Sequence, residues 1–590
     1  MAQGAGAPLD HLDRHWRWWL LVFWLAIGGF LIYARWGAIQ GFSLGDTDDN
    51  MRMMQVRGLL AGQGWYDLEQ HRLAGSNMHW SRLVDLPIAG LKLLFTPLFG
   101  GRIAEKIAVA VAPLLPMLAA IAAVAVMARR LVAPLAFPLA IALLATAGSA
   151  KGMWQPLRID HHGWQLAMLA WAVASLTDAR RARGGVTLGA ATALSLAIGM
   201  EMLLYLAACG AIMVLMWVRS AGEARRLLAY GVTLAGGCAF AFLVFASEAN
   251  RAPVCDALSP VWLSAMAAAG AVAVLLAWAS PRSAAARLGL AAGAGVLVAC
   301  FFAWAWPHCL GRLEQSTPEL ERLWLSRVRE AMPIWRHGAQ IAALTVTLPI
   351  AGLIGYAAML WRSRRDPERL IPWAAVALLA AIAAALLCWQ TRAGPAAQLL
   401  SIPGATALVW LIVMWVMNLR TMALRVAGVV AAFLLASGLL AGYVSDLLAR
   451  PLSPARRTIN IANNRCPTLA ALAPVARQPR GRVLTFVDLG PRLITVTPHD
   501  AITGPYHRNA VQIIDVMRAW RGDAANARRT AERYRIDYVL ICPNLSESTI
   551  YRSEAPNGFY MQLVRGSVPD WLEPVALPAN SPYKMWRVIS

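Results

Sequence analysis

The sequence has few charged residues, and acidic ones are the scarcer kind. Only 15% of its 590 residues are charged, and 32 aspartates and glutamates stand against 54 lysines and arginines. Hydrophobic residues make up 58% of the chain and the mean hydropathy is +0.51, above the apolar share of an ordinary soluble domain. This composition excludes a soluble globular protein and predicts an α-helical protein that crosses a membrane many times.

A cleavage site for a signal peptide is also missing. Arg14 and Arg17 precede the first apolar stretch, as basic residues do in a secretory signal, but the stretch is too long and no small-x-small site follows it. We therefore expect this stretch, about residues 17–36, to be retained as the first membrane helix.

The net charge of +22 is typical of nucleic-acid binding, but its placement argues against that function. The arginines lie in short connectors and flanks between apolar runs, which is the positive-inside pattern of membrane proteins. We therefore predict that these connectors are cytoplasmic and that no nucleic acid is bound. The arginines that form the pattern are Arg14, Arg17, Arg129, Arg130, Arg180, Arg181, Arg183, Arg225, Arg226, Arg282, Arg287, Arg362, Arg364, Arg365, Arg420 and Arg425.

Apolar runs long enough to span a bilayer recur from about position 17 to about position 446. Alternating them across the membrane gives about thirteen helices and predicts a membrane domain over residues 1–446. Three stretches then lie outside: the first loop (37–86), the second loop (150–163) and the third loop (307–338). The expected location is the plasma (inner) membrane of a bacterium, with lipids around the helices.

The C-terminal segment, residues 447–590, has mixed polar sequence and short apolar runs, which predict a small extracytoplasmic α/β domain. Residues 482–487, 493–497 and 536–541 have the character of strands, and residues 510–534 have helical spacing. In the third loop, Leu320, Leu323, Trp324 and Val328 have helical spacing and predict a helix with its apolar side against lipid or protein.

Four of the eight cysteines lie in stretches predicted to face an oxidising compartment. Cys255 could pair with Cys309, and Cys466 with Cys542, although the sequence alone leaves both pairings open.

Two polar clusters mark the predicted outer boundary. Asp46-Thr-Asp-Asp-Asn-Met-Arg52 follows the first membrane helix, and Arg158-Ile-Asp-His-His162 forms the second loop. Ionisable groups are costly near hydrocarbon and are kept there for function. Asp160 and His162 project to the same side of an extended backbone and, with Asp46, offer carboxylate and imidazole ligands that suit Mn²⁺ or Mg²⁺. A histidine pair that only caps a helix is the alternative.

The neighbouring residues have less certain roles. Asp48 is a candidate helper of Asp46, and Asp49 is expected to be solvated. Glu201, at a predicted outer hairpin, is as well explained by a structural hydrogen bond as by a substrate contact. Further candidates for contacting substrate are Arg52, His79, Trp80, Arg82, His161, Tyr506 and His507.

Together these motifs resemble those of the catalytic subunit of oligosaccharyltransferase, of the single-subunit archaeal and bacterial type, within the GT-C glycosyltransferases. Asp46 with Asn50-Met-Arg52 is similar to the first acidic motif of that family, and Asp160-His-His162 to the archaeal form of the second. The resemblance implies the GT-C fold, a metal-dependent transfer from a polyprenyl-phosphate or polyprenyl-pyrophosphate carrier, and Asp46 as a catalytic residue. It also implies that Glu330, in Glu330-Ala-Met-Pro333, lies beside the acceptor as a second catalytic residue, and that Arg392 binds the donor phosphate.

The sequence departs from that family in the C-terminal segment. The Trp-Trp-Asp-Tyr-Gly motif that reads the Asn-x-Ser/Thr acceptor is absent from residues 447–590, so an asparagine sequon is not the expected acceptor. The expected acceptor is then a lipid, a polysaccharide or a protein hydroxyl outside the cytoplasm. The alternatives are a transporter or flippase of lipid-linked glycans, and a polymer ligase without metal chemistry. A transporter is disfavoured because no internal repeat is visible and the acids cluster at one face.

Overall fold

The computed structural model describes residues 6–449 and 451–589, and it is mostly helical. The helices up to residue 449 are α1 Gly6–Arg14, α2 Trp16–Ala34, α3 Trp36–Gln40, α4 Thr47–Leu60, α5 Asp85–Phe99, α6 Gly101–Val111, α7 Leu114–Leu131, α8 Phe137–Thr146, α9 Gly148–Gly152, α10 His162–Leu176, α11 Arg181–Ile198, α12 Leu203–Arg219, α13 Ala224–Phe245, α14 Pro260–Ala279, α15 Ala284–Ala305, α16 Pro318–Leu323, α17 Ala339–Ser363, α18 Pro367–Leu386, α19 Gly394–Val416, α20 Met422–Ser437 and α21 Leu439–Leu447. A short hairpin in the first loop pairs β1 Glu69–Gln70 with β2 Ser76–Asn77.

By length and composition, eight helices in the described residues can cross a membrane, or nine if the bent pair α20 and α21 forms one span. Two shorter apolar helices, Pro134–Thr146 and Leu203–Arg219, lie among them. A multi-pass membrane protein is therefore confirmed. The count of about thirteen spans stays a prediction, as do the division at residue 446 and the side of the membrane on which each loop lies.

Small residues allow two pairs of these helices to pack closely. A Cβ atom on Gly355 of α17 would lie 1.9 Å from the carbonyl oxygen of Gly404 in α19, and one on Gly185 of α11 would lie 2.1 Å from the carbonyl oxygen of Arg226 in α13. Membrane helices approach closely where such residues face each other, because lipid offers no hydrophobic drive for their association.

The C-terminal segment contains a five-stranded mixed sheet surrounded by short helices. Its strands are β3 Arg482–Leu484, β4 Asp500–Ala501, β5 Tyr538–Ile541, β6 Leu572–Pro574 and β7 Lys584–Val588, in the order β4-β3-β5-β7-β6. Strand β3 is parallel to β4 and β5, and β7 is antiparallel to β5 and β6. Its helices are α22 Pro454–Arg465, α23 Leu469–Ala476, α24 Gly490–Val496, α25 Ala510–Arg521, α26 Ala524–Tyr534, α27 Ser548–Glu554 and α28 Phe559–Arg565.

The strand predicted over 493–497 is wrong, because these residues belong mostly to helix α24. Thr495 and Thr497 donate their hydroxyl hydrogens to the carbonyl oxygens of Pro491 and Leu493, at 2.7 and 2.8 Å. This bonding to the preceding turn lets β-branched threonine fit a short helix. The predicted helix at 510–534 is instead two helices, because the side chain of Asp523 accepts the backbone N–H of Asn526 and starts α26.

The helix predicted in the third loop is shorter than its apolar spacing suggested. Helix α16 ends at Leu323 and single 3₁₀ turns follow it. Leu320 and Leu323 are buried in the apolar core of the C-terminal segment, and Glu319 pairs with Arg518 of α25 at 2.5 Å. The apolar side therefore contacts protein, which was one of the two predicted environments.

Two disulfides link the loops and the C-terminal segment internally. They join the same two pairs of cysteines that the sequence suggested without deciding. Cys255 in the loop between α13 and α14 is bonded to Cys309 in the third loop, and Cys466 to Cys542 within the C-terminal segment. The first disulfide ties two separate loops on one face of the helices.

We predict that Gly355→Val destabilises the protein, because its side chain would meet the backbone of Gly404. Overpacking of this kind costs about 1–3 kcal/mol. The matched control is Gly289→Val in α15, where a Cβ atom meets nothing within 4 Å. Thermal unfolding of the purified variants in one detergent measures both. Equal melting temperatures would contradict the close packing of α17 and α19.

Candidate functional site

The two polar clusters predicted from the sequence meet in space. The first loop supplies the start of helix α4, and the second loop supplies the start of α10. The backbone N–H of Asp160 donates to Oδ1 of Asp49 at 3.0 Å, and Arg158 is ion-paired with Asp46. Loops more than a hundred residues apart therefore build one acidic site.

Helix α4 begins where it does because of its own acids. Asp46 has an extended backbone, and its Oδ1 accepts the N–H of Thr47 at 2.6 Å. Asp48 and Asp49 follow in the first turn, where the partial positive charge of a helix N-terminus stabilises carboxylates. The sequence prediction that Asp49 is solvated is wrong: it is 0% exposed, because its carboxylate is turned inward onto the second loop.

Arg158 is the central cation of the site. Its Nη2 lies 2.8 Å from Oδ2 of Asp160, and its Nη1 contacts Asp46 and lies 3.7 Å from Oδ2 of Asp49. One guanidinium thus faces three carboxylates, two of which have fully buried side chains. Buried charges require such pairing, and Arg158 holds the pKa values of Asp46 and Asp160 below their usual range. Burial raises the pKa of Asp49 well above its usual value despite the nearby guanidinium.

Asp48, Asp160 and His162 form a group that can hold a metal ion. One ligand atom from each lies within 4.8 Å of the others, and Nδ1 of His162 is 3.3 Å from Oδ2 of Asp160. His162 Nδ1 is buried and makes no hydrogen bond within the described chain, and the buried Asp160 Oδ2 is held by its ion pair with Arg158. Two carboxylates with one imidazole fit Mn²⁺ or Mg²⁺ better than a structural zinc site.

Asp46, which the sequence placed in this ligand set, stands beside it. Its carboxylate is bonded to Arg158 and Thr47, and its side chain is 31% exposed. Asp48, expected to be only a helper, takes the place within the group of possible ligands. A ligand role for Asp46 itself stays a prediction.

The ionisation of the group follows from burial and neighbouring charge. Desolvation, with the nearby charge of Asp46, raises the pKa of Asp48 to about 7. Burial alone would lower the pKa of His162, but the Asp160 carboxylate beside it raises that pKa to about 9. Burial disfavours charge on Asp160 as well, yet Arg158 and His162 hold its pKa far below the usual value.

A second cluster adjoins the first through the stacked rings of His161 and His162. Glu201 accepts hydrogen bonds from His161 Nε2 at 2.9 Å and from Gln165 Nε2 at 2.6 Å, and lies 3.7 Å from His79 Nε2. Burial lowers the pKa of His161 to about 4. These hydrogen bonds support a structural role for Glu201.

Arg52, Trp80 and Arg82 form the wall behind these histidines. Arg52 is fully buried, bonds Asp85 at 2.8 Å, and lies over the Trp80 ring at 4.7 Å from its centroid. Arg82 donates to the carbonyl oxygen of Gln55 at 2.9 Å and is also buried. These arginines have structural partners, because Asp85 needs a buried counter-charge, and their predicted substrate contacts stay predictions.

The C-terminal segment reaches the site through residues 504–509. The hydroxyl of Tyr506 donates to the carbonyl oxygen of Thr47 at 2.9 Å, directly over the start of α4. His507 Nε2 donates to Asp256 at 2.6 Å, and its ring centroid is 4.9 Å from that of His79. Both predicted contact residues therefore lie at the site.

Glu330 and Arg392 lie together but apart from the acids. Arg392 Nε is 3.8 Å from Oε2 of Glu330, and their side chains are 43% and 62% exposed. The hydroxyl and N–H of Thr391 both donate to the carbonyl oxygen of Met332, so the backbone holds the two segments in register. In the described residues neither side chain contacts the acidic cluster, and their predicted roles stay predictions.

Sequence reasoning overlooked three residues of this region. A role for Arg158 could have been predicted, because it lies two residues before Asp160 and its side chain projects to the same side of an extended backbone. Asp488 follows strand β3, and desolvation with the charge of Asp46 raises its pKa to about 6. It is the third residue of Phe486-Val-Asp-Leu-Gly490, which has the acid and glycine of the missing acceptor motif at the same spacing but neither tryptophan. No local sequence pattern indicated a functional role for Asp256.

Comparison with known proteins gives a likeness in structure alone. No protein-family model matches the chain, and no curated protein matches it. The oligosaccharyltransferase AglB of the archaeon Archaeoglobus fulgidus, solved with an inhibitory peptide and a dolichol-phosphate, aligns with a TM-score of 0.66 and 14% identity, over 92% of this chain and 72% of that one. A crystal structure of an A. fulgidus oligosaccharyltransferase tethered to an acceptor peptide with an NVT sequon aligns at 0.67 and 15%, over 93% and 72%.

A third structure, an A. fulgidus oligosaccharyltransferase in complex with Zn and sulfate, aligns with a TM-score of 0.59 and 16% identity, over 88% of this chain and 67% of that one. At these identities the likeness shows the fold. The predicted resemblance to the GT-C fold of oligosaccharyltransferase, with a C-terminal domain of helices and a small sheet, is confirmed.

We predict that Arg158→Met destabilises the protein, since it leaves the fully buried, ionised carboxylate of Asp160 without its cation. Breaking a buried ion pair on one side costs about 3–5 kcal/mol. Mn²⁺ should raise the melting temperature of this variant more than that of the wild type, because the ion would supply the missing charge. The control is Arg102→Met, an exposed arginine at the start of α6. Equal melting temperatures for the two variants would refute the central role of Arg158.

We also predict that the chain binds Mn²⁺ more weakly as the pH falls from 8 to 6. The ion requires deprotonated ligands. Asp48, with a pKa of about 7, takes up a proton across this range, and His162, with a pKa of about 9, is already protonated at pH 8 and must lose its proton to bind the ion. Electron paramagnetic resonance of free Mn²⁺ measures the dissociation constant at each pH. An affinity that is unchanged at pH 6 would exclude these two ligands.

Proposed function

We propose that this protein is a membrane glycosyltransferase that moves a sugar or oligosaccharide from a polyprenyl-phosphate or polyprenyl-pyrophosphate carrier to an extracytoplasmic acceptor. The observation that supports it most directly is the acidic site that Arg158 assembles from the first and second loops. It lies on a chain with the fold of enzymes solved with dolichol-phosphate and acceptor peptide.

The position of the site suits a lipid carrier. Asp160 and Arg158 also line a recess whose other walls are apolar, made by Val84, Ile88, Ala112, Pro113, Pro116 and Trp164 among others. A carrier with an anionic head and a hydrocarbon tail needs such a join of charge and apolar surface. Arg158 is therefore a second cation, besides Arg392, that we assign to the carrier phosphate.

In the proposed reaction an acceptor oxygen attacks the anomeric carbon of the sugar. The new bond forms as the bond from that carbon to the phosphate oxygen breaks, and the electron pair leaves with the phosphate. We assign Asp46 to receive the proton of the acceptor, which then passes to water, because its partly exposed carboxylate stands beside the metal group. A single displacement inverts the configuration at the anomeric carbon.

The residues for a metal ion fit this role. Asp48, Asp160 and His162 would hold a divalent ion, Mn²⁺ or Mg²⁺, and when bound it would supply Lewis-acid stabilisation of the charge on the departing phosphate. Asp160 is kept ionised by Arg158, so this ligand is ready for a cation at any physiological pH.

The C-terminal residues near Asp46 support one class of acceptor. The C-terminal segment places Tyr506 and Asp488 near Asp46 but lacks the tryptophans of the sequon-reading motif. We therefore propose a hydroxyl acceptor on a lipid, a polysaccharide or a protein.

The test is transfer of label by the purified protein from radiolabelled polyprenyl-linked sugars extracted from the source cells. Asp160→Asn should lower transfer by about 10²-fold or more, as loss of one preorganised electrostatic contact does. EDTA should abolish transfer, and Mn²⁺ should restore it. Asp570→Asn, which alters an exposed acid of the C-terminal segment, is the matched control. Full transfer by Asp160→Asn would refute the proposal, and passage of intact labelled lipid across proteoliposomes would indicate a flippase.

A further inference from the structure

A second group of possible metal ligands lies outside the acidic site and is not used in the reaction above. It consists of His79 from the first loop, Asp256 from the loop between α13 and α14, and His507 from the C-terminal segment. One ligand atom from each lies within 4.8 Å of the others. We infer that these three residues bind a second divalent transition-metal ion, of the class of Zn²⁺.

The donor set supports this class of ion. Two imidazoles with one carboxylate are a common ligand set for zinc that retains an open position, whereas Mg²⁺ prefers oxygen ligands. The three side chains are largely shielded from solvent, with exposures of 15%, 10% and 13% for His79, Asp256 and His507. Three shielded donor side chains from three distant segments are therefore close together before an ion binds.

The outer contacts of these residues are those of a built site. Arg508 donates to both carboxylate oxygens of Asp256, at 2.7 and 2.6 Å, and fixes its orientation. Glu201 Oε1 lies 3.7 Å from His79 Nε2 and can orient that ring. Ligating histidines and carboxylates have such hydrogen-bonding partners, which set the direction of the donor atoms.

Arg508 does not block the ion. Asp256 Oδ2 accepts from both Arg508 Nε and His507 Nε2, the latter at 2.6 Å, so the hydrogen on His507 Nε2 occupies the place between the two ligand atoms. When the ion binds, the hydrogen would move to Nδ1 of a neutral ring or leave a doubly protonated ring for solvent, and the lone pairs of Nε2 and of the oxygen would then be free for the ion. The charge of Arg508 stays balanced by Asp256.

The disulfide between Cys255 and Cys309 supports the same site. It immediately precedes Asp256 and fixes that loop to the third loop. The ion would then link the first loop, the loop between α13 and α14 and the C-terminal segment. His161 adjoins this group, with its ring centroid 6.1 Å from that of His79, and a bound ion would there supply Lewis-acid chemistry for a phosphate or hydroxyl oxygen.

The test is the Zn²⁺ content of the purified full chain, made with a histidine-free tag, loaded with Zn²⁺, desalted and measured by inductively coupled plasma mass spectrometry. The wild type should retain about two equivalents, and His507→Ala about one. Asp256→Asn, which preserves the size of the side chain, should also retain about one. The control is His71→Ala, in the first loop and 66% exposed, which should retain about two.

The outcomes separate this inference from the proposed function. Asp160→Asn should lose the other equivalent, because it removes a ligand of the acidic site. If His507→Ala and Asp256→Asn bind as much Zn²⁺ as the wild type, the second site is refuted, whatever Asp160→Asn does. That result includes the case in which the ion uses His79, His161 and Glu201 instead. Circular dichroism confirms that each variant is folded.

Discussion

The site depends on one guanidinium among three carboxylates. Arg158 is ion-paired with Asp46 and Asp160 and lies 3.7 Å from the buried Asp49, so it joins the first loop to the second loop. Without this cation, the charges of Asp46 and Asp160 would repel each other and separate the two loops. The same contact orders the start of α4 and the start of α10, so the metal group of Asp48, Asp160 and His162 exists only because the loops are joined. The carboxylates must therefore be neutralised by Arg158 before the site can form and catalyse a reaction.

The C-terminal segment is bound to the same structure. Helix α24 packs on α4, where Thr495 Oγ1 lies 3.2 Å from the carbonyl oxygen of Asn50, and Arg72 of the first loop donates to the carbonyl oxygen of Ile494 at 2.6 Å. Tyr506 completes the contact at Thr47. The C-terminal segment is thus held directly over the proposed reaction centre.

The extent of prediction differed with the range of the interactions involved. The many membrane helices followed from long apolar runs, and the fold was implied by the resemblance of the motifs to those of oligosaccharyltransferase. The meeting of the clusters that contain Asp46 and Asp160 followed from their common position at a membrane boundary. The inward turn of Asp49, the helix at 490–496 and the short helix α16 did not follow, because each depends on a partner far along the chain: Asp160, α4 and the C-terminal core. Glu330 and Arg392 met each other, which their motifs did not indicate.

The sequence by itself determined a polytopic helical protein, the boundary at which its ionisable residues lie, and the residue types that can hold a divalent ion, because hydropathy and charge placement are local properties. Only the tertiary structure decided that Asp48 lies close enough to Asp160 and His162 to share an ion with them, that Arg158 pairs with Asp46 and Asp160, and that His79, Asp256 and His507 converge. Those decisions come from side-chain directions and buried charge pairing between distant segments, and spacing along the chain contains neither.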